Sequence, residues 1–199
     1  MRVLTHFLLW GLGLAPAETQ TSEAERAALA RHAAGRRRLV EIGVWHGVTT
    51  RRLRTAMNPD SVLLAVDPYP AGRLGFSMQR IIARREVSGV RRGRVRWERT
   101  TGAEAGREYA RRGNPPVDFV FIDGEHTYDG LRADWEAWAP LVAGGGVVAL
   151  HDSRSSRERN IDGAGSARYT REVVERDSRF KVVEAVDTLT VLKRRGATE

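Results

Sequence analysis

Two short stretches carry side chains able to do chemistry. "FVFIDGEH" closes an apolar run with Asp123 and places His126 three residues further, and "VVALHDS" closes another with His151 and Asp152. Two carboxylates and an imidazole converging on adjacent strand tips can hold a divalent cation, with water or substrate oxygens filling its remaining positions. An imidazole suits manganese, iron or zinc at least as well as magnesium, and it could act as a base instead. A third stretch, "LVEIGVWHGVTT", spaces Glu41, Gly43 and Gly47 as E-x-G-x-x-x-G, with Trp45 inside the loop. Glycines there allow a sharp turn and close approach to a ligand, and Thr49 and Thr50 are placed to cap the next helix. A dinucleotide loop would read G-x-G-x-x-G. A carboxylate at the strand end repels a pyrophosphate and suits an ammonium or a sulfonium. Asp67 ends the next apolar run, where an acid can accept hydrogen bonds from both hydroxyls of a ribose. Glu41 and Asp67 together suggest a nucleoside that carries an amino acid.

The elements that must position these residues follow from periodicity. Helical spacing with a Ser/Thr cap and early acids covers residues 21–33. Strand patterns at 38–44, 61–67, 94–100, 117–123 and 144–152 alternate with helical patterns at 49–57, 76–87, 102–112 and 127–142. A helix at 166–176 precedes a closing pair of strands, 180–186 and 189–195, joined by a tight turn at Asp187 and Thr188. Such alternation predicts an α/β fold whose parallel sheet is covered on both faces. Ligands of these sheets lie beyond the carboxyl ends of the strands, at the topological switch point.

The chain has 199 residues, enough for one domain with a full core, and no cysteine. Disulfides, zinc–thiolate sites and a cysteine nucleophile are thereby excluded. Lys and Arg number 33 against 25 Asp and Glu, and the excess is mostly Arg scattered along helix faces. The N-terminal stretch "MRVLTHFLLWGLGLAPAE" has features of a signal peptide. His6 and Trp10 interrupt it, and the expectation is a helix or lid over residues 1–20 that packs on the domain, on a second copy or over the active site. Residues 21–199 are expected to form the core of a single domain. His46 is expected to pack locally, and His6 and His32 to lie at the surface.

The combination resembles class I S-adenosylmethionine-dependent methyltransferases. "TSEAE", "EIGVWHGVTT", "AVDPYP", "FIDGEHTYDGLRADWEAW", "LVAGGGVVALHDS" and "VDTLTVLK", in that order, resemble methyltransferase family 24, small bacterial enzymes that include O-methyltransferases of natural-product sugars. The resemblance spans about Thr21 to Lys193. It implies a Rossmann-like three-layer sandwich with a mostly parallel seven-stranded sheet and an antiparallel closing strand. It also implies S-adenosylmethionine as cofactor. Glu41, Gly43, Trp45 and Gly47 would hold its methionine part, Asp67 its ribose and Thr101-Gly102-Ala103 its adenine, with Asp123 close by. In metal-dependent relatives the matching acids bind a divalent ion, which makes Asp123, His151 and Asp152 the expected ligands of Mg²⁺ or Mn²⁺. His126 matches the general base of similar sugar O-methyltransferases, beside Asp123. The expected partner is a small-molecule acceptor in the cytoplasm, with no membrane and no nucleic acid. An acceptor pocket is expected around Trp10, Tyr69, Phe76 and Met78. An RNA acceptor and a non-catalytic cofactor-binding subunit are the alternatives.

Overall fold

The computed structural model describes residues 3–72 and 75–196. Its strands are β1 (Arg38–Ile42), β2 (Val62–Val66), β3 (Arg94–Glu98), β4 (Val117–Ile122), β5 (Val142–Leu150), β6 (Phe180–Val186) and β7 (Leu189–Arg194). They form one sheet in the order β3-β2-β1-β4-β5-β7-β6. All neighbours pair in parallel except β7, which runs antiparallel to both β5 and β6. The expected α/β class and antiparallel closing strand are observed, with the last strand inserted between its predecessors. The order reverses between β1 and β4, which opens a crevice above their carboxyl ends.

Alternation along the central strands divides the core in two. Leu39, Phe119 and Phe121 point to one face and pack with Leu29, Leu53 and Met57. Val40, Ile42, Val120 and Ile122 point to the other and pack with Trp135 and Trp138. Because β4 is buried on both faces, its sequence VDFVFI is almost continuously apolar. The first face is covered by α2 (Glu23–Ala33) and α3 (Val48–Ala56), the second by α5 (Gly102–Arg111), α6 (Tyr128–Trp138) and α7 (Gly165–Glu172).

Helix starts follow the capping pattern read from the sequence in most places. Ser22 with Glu25 closes a capping box on α2, and Thr101 with Glu104 does so on α5. Thr127 caps α6 through the Gly130 N–H at 2.9 Å. The start of α3 departs from expectation. Its N-cap is Gly47 at φ 76°, without a side-chain cap, and Thr49 and Thr50 are buried in the first turn. Near residue 140 the expected helix is also too long. It stops at Trp138, and Pro140 sits in a single 3-10 turn, Ala139–Leu141, so β5 begins at Val142.

The N-terminal helix α1 (Val3–Gly11) leans on α4 (Met78–Ser88), and Trp10 Nε1 donates to Glu86 at 3.4 Å. His6, expected at the surface, is buried, because α1 turns it inward while Val3, Leu4 and Leu8 face out. His32 is half-buried and meets Glu184 at 2.7 Å. No described helix is long and apolar enough to cross a membrane.

Gly43 shows how tightly β1 and β4 are joined. Asp123 N–H donates to the Ile42 carbonyl at 2.8 Å, and Gly43 N–H to the Val66 carbonyl at 2.9 Å. At φ 81° an added Cβ would overlap the Asp123 carbonyl oxygen. Gly43→Ala therefore combines left-handed strain with a backbone clash. It is expected to lower the unfolding free energy by roughly 2–4 kcal/mol in a denaturant titration. An unchanged midpoint would show that the crossing is not tight.

Candidate functional site

The crevice at the switch point is a cleft of about 660 Å³. Ile42, Gly43 and Trp45 form one wall, Asp67 and Pro68 a second, and Thr101, Gly102 and Ala103 a third. Asp123, Gly124, Glu125 and His126 close it from β4, and Glu18, Thr19 and Gln20 reach over from the N-terminal segment. Glu18, Asp67, Asp123, Glu125, Asp129 and Asp134 line it, and no Lys or Arg does among the described residues. The chain as a whole carries a formal charge of +8, so the cleft is acidic within a basic protein. Such a lining attracts cationic groups and repels phosphates.

Asp67 organises the loop after β1. Its Oδ2 accepts the N–H groups of Val44 and Trp45 at 3.0 Å each, and its Oδ1 accepts that of Tyr69 at 2.8 Å. Trp45 at φ 50° and Tyr69 at φ 42° occupy the left-handed region, which bulky residues rarely adopt. The Asp67 bonds hold both turns, and Tyr69 Oη adds one to the Trp45 carbonyl at 3.2 Å. Asp67 Oδ2 is filled by its two donors, and Oδ1 keeps one acceptor position. Trp10, Tyr69, Phe76 and Met78 do not line this cleft.

Glu41 and Gly47 also lie outside the lining. Gly47 instead lets α3 approach Ala83, whose backbone a Cβ would meet at 3.0 Å. Glu41 is fully enclosed, and neither its carboxylate oxygens nor the Thr50 hydroxyl beside it makes a well-formed hydrogen bond. Burial raises its pKa well above the usual range; Thr50 pulls the other way, and the charges of Asp123 and Asp67 add to the rise. The group is therefore a neutral carboxyl beneath the cleft floor.

Asp134 is a cleft residue that motif reading passed over. On α6 it shares the buried face of Leu131, Trp135 and Trp138, and an acid on an apolar stripe is itself a signal of a special partner. Burial raises its carboxyl to about 6, although the Ala103 backbone N–H favours its charge. Gly102 must be a glycine here, because a Cβ would stand 2.5 Å from Asp134 Oδ1. The turn expected to face adenine thus has an acid behind it.

At the strand tips, Asp123, His126, His151 and Asp152 do come together. His151 Nδ1 donates to Asp123 Oδ1 at 2.8 Å. Its Nε2 faces Glu25 Oε2 at 3.4 Å, an ion-pair distance without an aligned hydrogen bond. Burial opposes charge on this imidazole, but Asp123 and Glu25 prevail and hold its pKa up at about 10. Glu25 is lowered to about 2: burial would raise it, and His151 with the Ser22 and Thr188 bonds outweighs that. The capping acid of α2 is thus also the second counter-ion of His151, which motif spacing did not reveal.

These engagements bear on the expected divalent ion. His151 lies between two carboxylates that favour its protonated form, so a metal would have to displace that proton. Asp152, at φ 46°, gives Oδ1 to Arg159 at 2.7 Å. Asp123, His151 and Asp152 are engaged in a chain of ion pairs, and their donor atoms do not gather as closely as those of a ready metal site. His126, with 41% of its side chain exposed, stands at the cleft edge, Nδ1 3.8 Å from Asp152 and Nε2 4.0 Å from Asp123.

The raised His151 pKa stabilises the fold fully below about 6.5, its unfolded value, and less as pH rises through about 10. The lowered Glu25 pKa acts from the acid side, with stability present above about 4.5 and lost toward about 2. The gap in unfolding free energy between wild type and His151→Asn should therefore be wide at pH 6 and narrow toward pH 10. The expected change is on the order of 3 kcal/mol. A gap independent of pH in denaturant titrations would refute the charged imidazole.

Comparison with known proteins agrees with this architecture. TomG, an O-methyltransferase from Streptomyces achromogenes involved in tomaymycin synthesis and solved with SAM, is 19% identical at a TM-score of 0.67. The match covers 98% of this chain and 91% of that one. An O-methyltransferase from Bacillus cereus, solved with SAH, is 17% identical at a TM-score of 0.64, with 98% and 91% covered. Cofactor-bound Rv0187 from MTB is 19% identical at 0.71, again with 98% and 91% covered. The methyltransferase domain of family 24 matches residues 40–153, more than half of the chain and all of the strand-tip residues. The chain belongs to that family, the class I methyltransferases with this domain.

Proposed function

We propose that the protein transfers a methyl group from S-adenosylmethionine to a hydroxyl of a small molecule, with a sugar or another natural product as acceptor. The acidic lining of the cleft at the switch point, with no Lys or Arg among its described residues, carries this reading. A ligand with an ammonium and a sulfonium suits that field, whereas a pyrophosphate or an RNA backbone does not. The residues fit the cofactor in kind. Asp67 Oδ1 has one acceptor position left for a ribose hydroxyl, and the Thr101-Gly102-Ala103 turn backed by Asp134 offers polar edges beside apolar Ile42 and Val66 for a base. Thr19, Gln20, Glu125 and Asp129 give the rim hydroxyl-binding groups that suit a sugar. TomG and the B. cereus enzyme, O-methyltransferases of the same fold, support an oxygen acceptor.

The cofactor supplies an electrophilic methyl group on sulfur. The protein's contribution is to align the acceptor oxygen and to take its proton. His126 is placed for the second task. Its Nδ1 lies 3.8 Å from Asp152 and its Nε2 4.0 Å from Asp123 at the cleft edge. His151 holds Asp123 in place from behind through its 2.8 Å bond, and Arg159 holds Asp152 through its 2.7 Å bond. No step of this mechanism passes through a metal.

Calorimetry should show saturable binding of S-adenosylmethionine and of its demethylated product in metal-free buffer. Asp67→Ala should weaken it by roughly tenfold to a hundredfold, through lost charge-assisted bonds and a loosened Trp45 turn. Binding of NAD in place of the methyl donor would sink the reading.

His126→Ala should lower kcat by on the order of a hundredfold without changing cofactor affinity. Added Mg²⁺ or Mn²⁺ should leave wild-type turnover unchanged. Full activity of the variant, or a strict dependence on either ion, would contradict the proposed base and the metal-free strand tips respectively.

A further inference from the structure

His6, Glu18 and His46 come from separate parts of the chain, and the mechanism above uses neither histidine. His6 on α1 is 5% exposed and His46 is 3% exposed. Neither ring nitrogen of His6 has a hydrogen-bond partner. Its Nδ1 lies 3.3 Å from Glu18 Oε1, and the other Glu18 oxygen lies 4.0 Å from Nδ1 of His46. The two rings stack with centroids 5.0 Å apart. One donor atom from each of the three residues lies within 4.8 Å of the other two. Buried polar atoms are nearly always paired, and an enclosed imidazole with both nitrogens unpaired calls for an ion, a water or a chemical role.

We propose that His6, Glu18 and His46 bind a divalent transition ion of the zinc class, which fastens the N-terminal segment to the loop after β1. Two imidazoles and a carboxylate are a known open donor set for tetrahedral zinc, with water as fourth ligand. Imidazole donors select zinc, cobalt or nickel over magnesium and calcium. Burial and the neighbouring His6 lower the His46 pKa, which keeps that ring neutral. Its Nδ1 accepts the Glu18 N–H at 3.1 Å, so that nitrogen is unprotonated, and this bond must open for Nδ1 to ligate an ion. Coordination at about 2.0–2.2 Å requires the Glu18 carboxylate to swing inward and each ring to turn about its outer torsion.

The location gives such an ion a task. Glu18, Thr19 and Gln20 cover the cleft, and Trp45 in its wall stacks on His46 with centroids 4.7 Å apart. An ion joining α1, Glu18 and His46 would hold this strap across the cofactor and slow its escape.

The test uses full-length, tag-free protein stripped of metal. Titration with Co²⁺ should give the visible absorption of a tetrahedral nitrogen–oxygen site at one equivalent, and Zn²⁺ should displace it. His6→Ala and the near-isosteric Glu18→Gln should each weaken binding by roughly a hundredfold or more, whereas His126→Ala should not change it. The absence of a saturable site, or binding indifferent to both His6→Ala and Glu18→Gln, overturns the site. Zn²⁺ should also slow dissociation of the demethylated cofactor in stopped flow, and an unchanged rate in a zinc-loaded sample overturns the fastening. The cobalt titration needs neither cofactor nor acceptor, so failure of the metal site is distinguishable from failure of the methyltransferase reading.

Discussion

Negative charge gathered at the carboxyl ends of β1, β2 and β4 is the constraint on which the rest of the site depends. Asp67, Asp123 and Asp134 line a cleft that no described Lys or Arg lines, with Glu41 buried beside it. Ionised carboxylates at such depth are tolerated only when something offsets them. Each acid here has a different answer. Asp67 takes three backbone N–H groups, Asp123 the His151 imidazolium, and Asp152 the Arg159 guanidinium. Asp134 sits at the start of α5, where the helix dipole and the Ala103 N–H favour its charge. Glu41 has no such partner and stays neutral. The charge left over is what a cationic ligand would meet.

The same arrangement sets the backbone in unusual conformations. Three of the four described non-glycine residues with positive φ, Trp45, Tyr69 and Asp152, lie on loops after β1, β2 and β5. Each such conformation costs on the order of 1–3 kcal/mol and persists only where the surroundings impose it. For Trp45 and Tyr69 the imposing group is Asp67, and for Asp152 the Ser166 hydroxyl, which donates to its carbonyl at 2.6 Å, and the Arg159 pair. The strain keeps the Trp45 ring against His46 and the Asp152 carboxylate beside His126. Positioning of this kind is most of what an in-line transfer asks of a protein.

How far the sequence disclosed this depends on whether a residue's role is local. The strands, the alternating core faces and the caps at Ser22, Thr101 and Thr127 arise from periods and spacings within a few residues, and they were legible. So was the meeting of Asp123, His126, His151 and Asp152, because parallel strands end on the same side. Glu25 was half legible: its capping box is local, but its contact with His151 and Thr188 needs α2 to lie beside the β6–β7 turn, 163 positions away. The surroundings of His151 were hidden for the same reason, since its second carboxylate comes from α2. Glu41 and Gly47 lie beside the lining, Glu41 fully buried and Gly47 where α3 packs on Ala83, which spacing alone did not tell.

The net charge shows why an average over the chain misleads about a site. An excess of Arg taken alone points to anionic partners, yet the arginines cap carbonyls and pair with acids away from the cleft. Arg54 donates to the Val87, Arg92 and Gly93 carbonyls, and Arg194 to those of Ala139, Pro140 and Val142. Arg111 and Arg112 close on Glu108. These contacts join strand and helix ends and leave the field inside the cleft to its carboxylates. Exposed arginines are screened within about 8–10 Å at physiological salt, so their excess adds little at the cleft floor. What decides the ligand is the sign of the groups that touch it, and here that sign is negative.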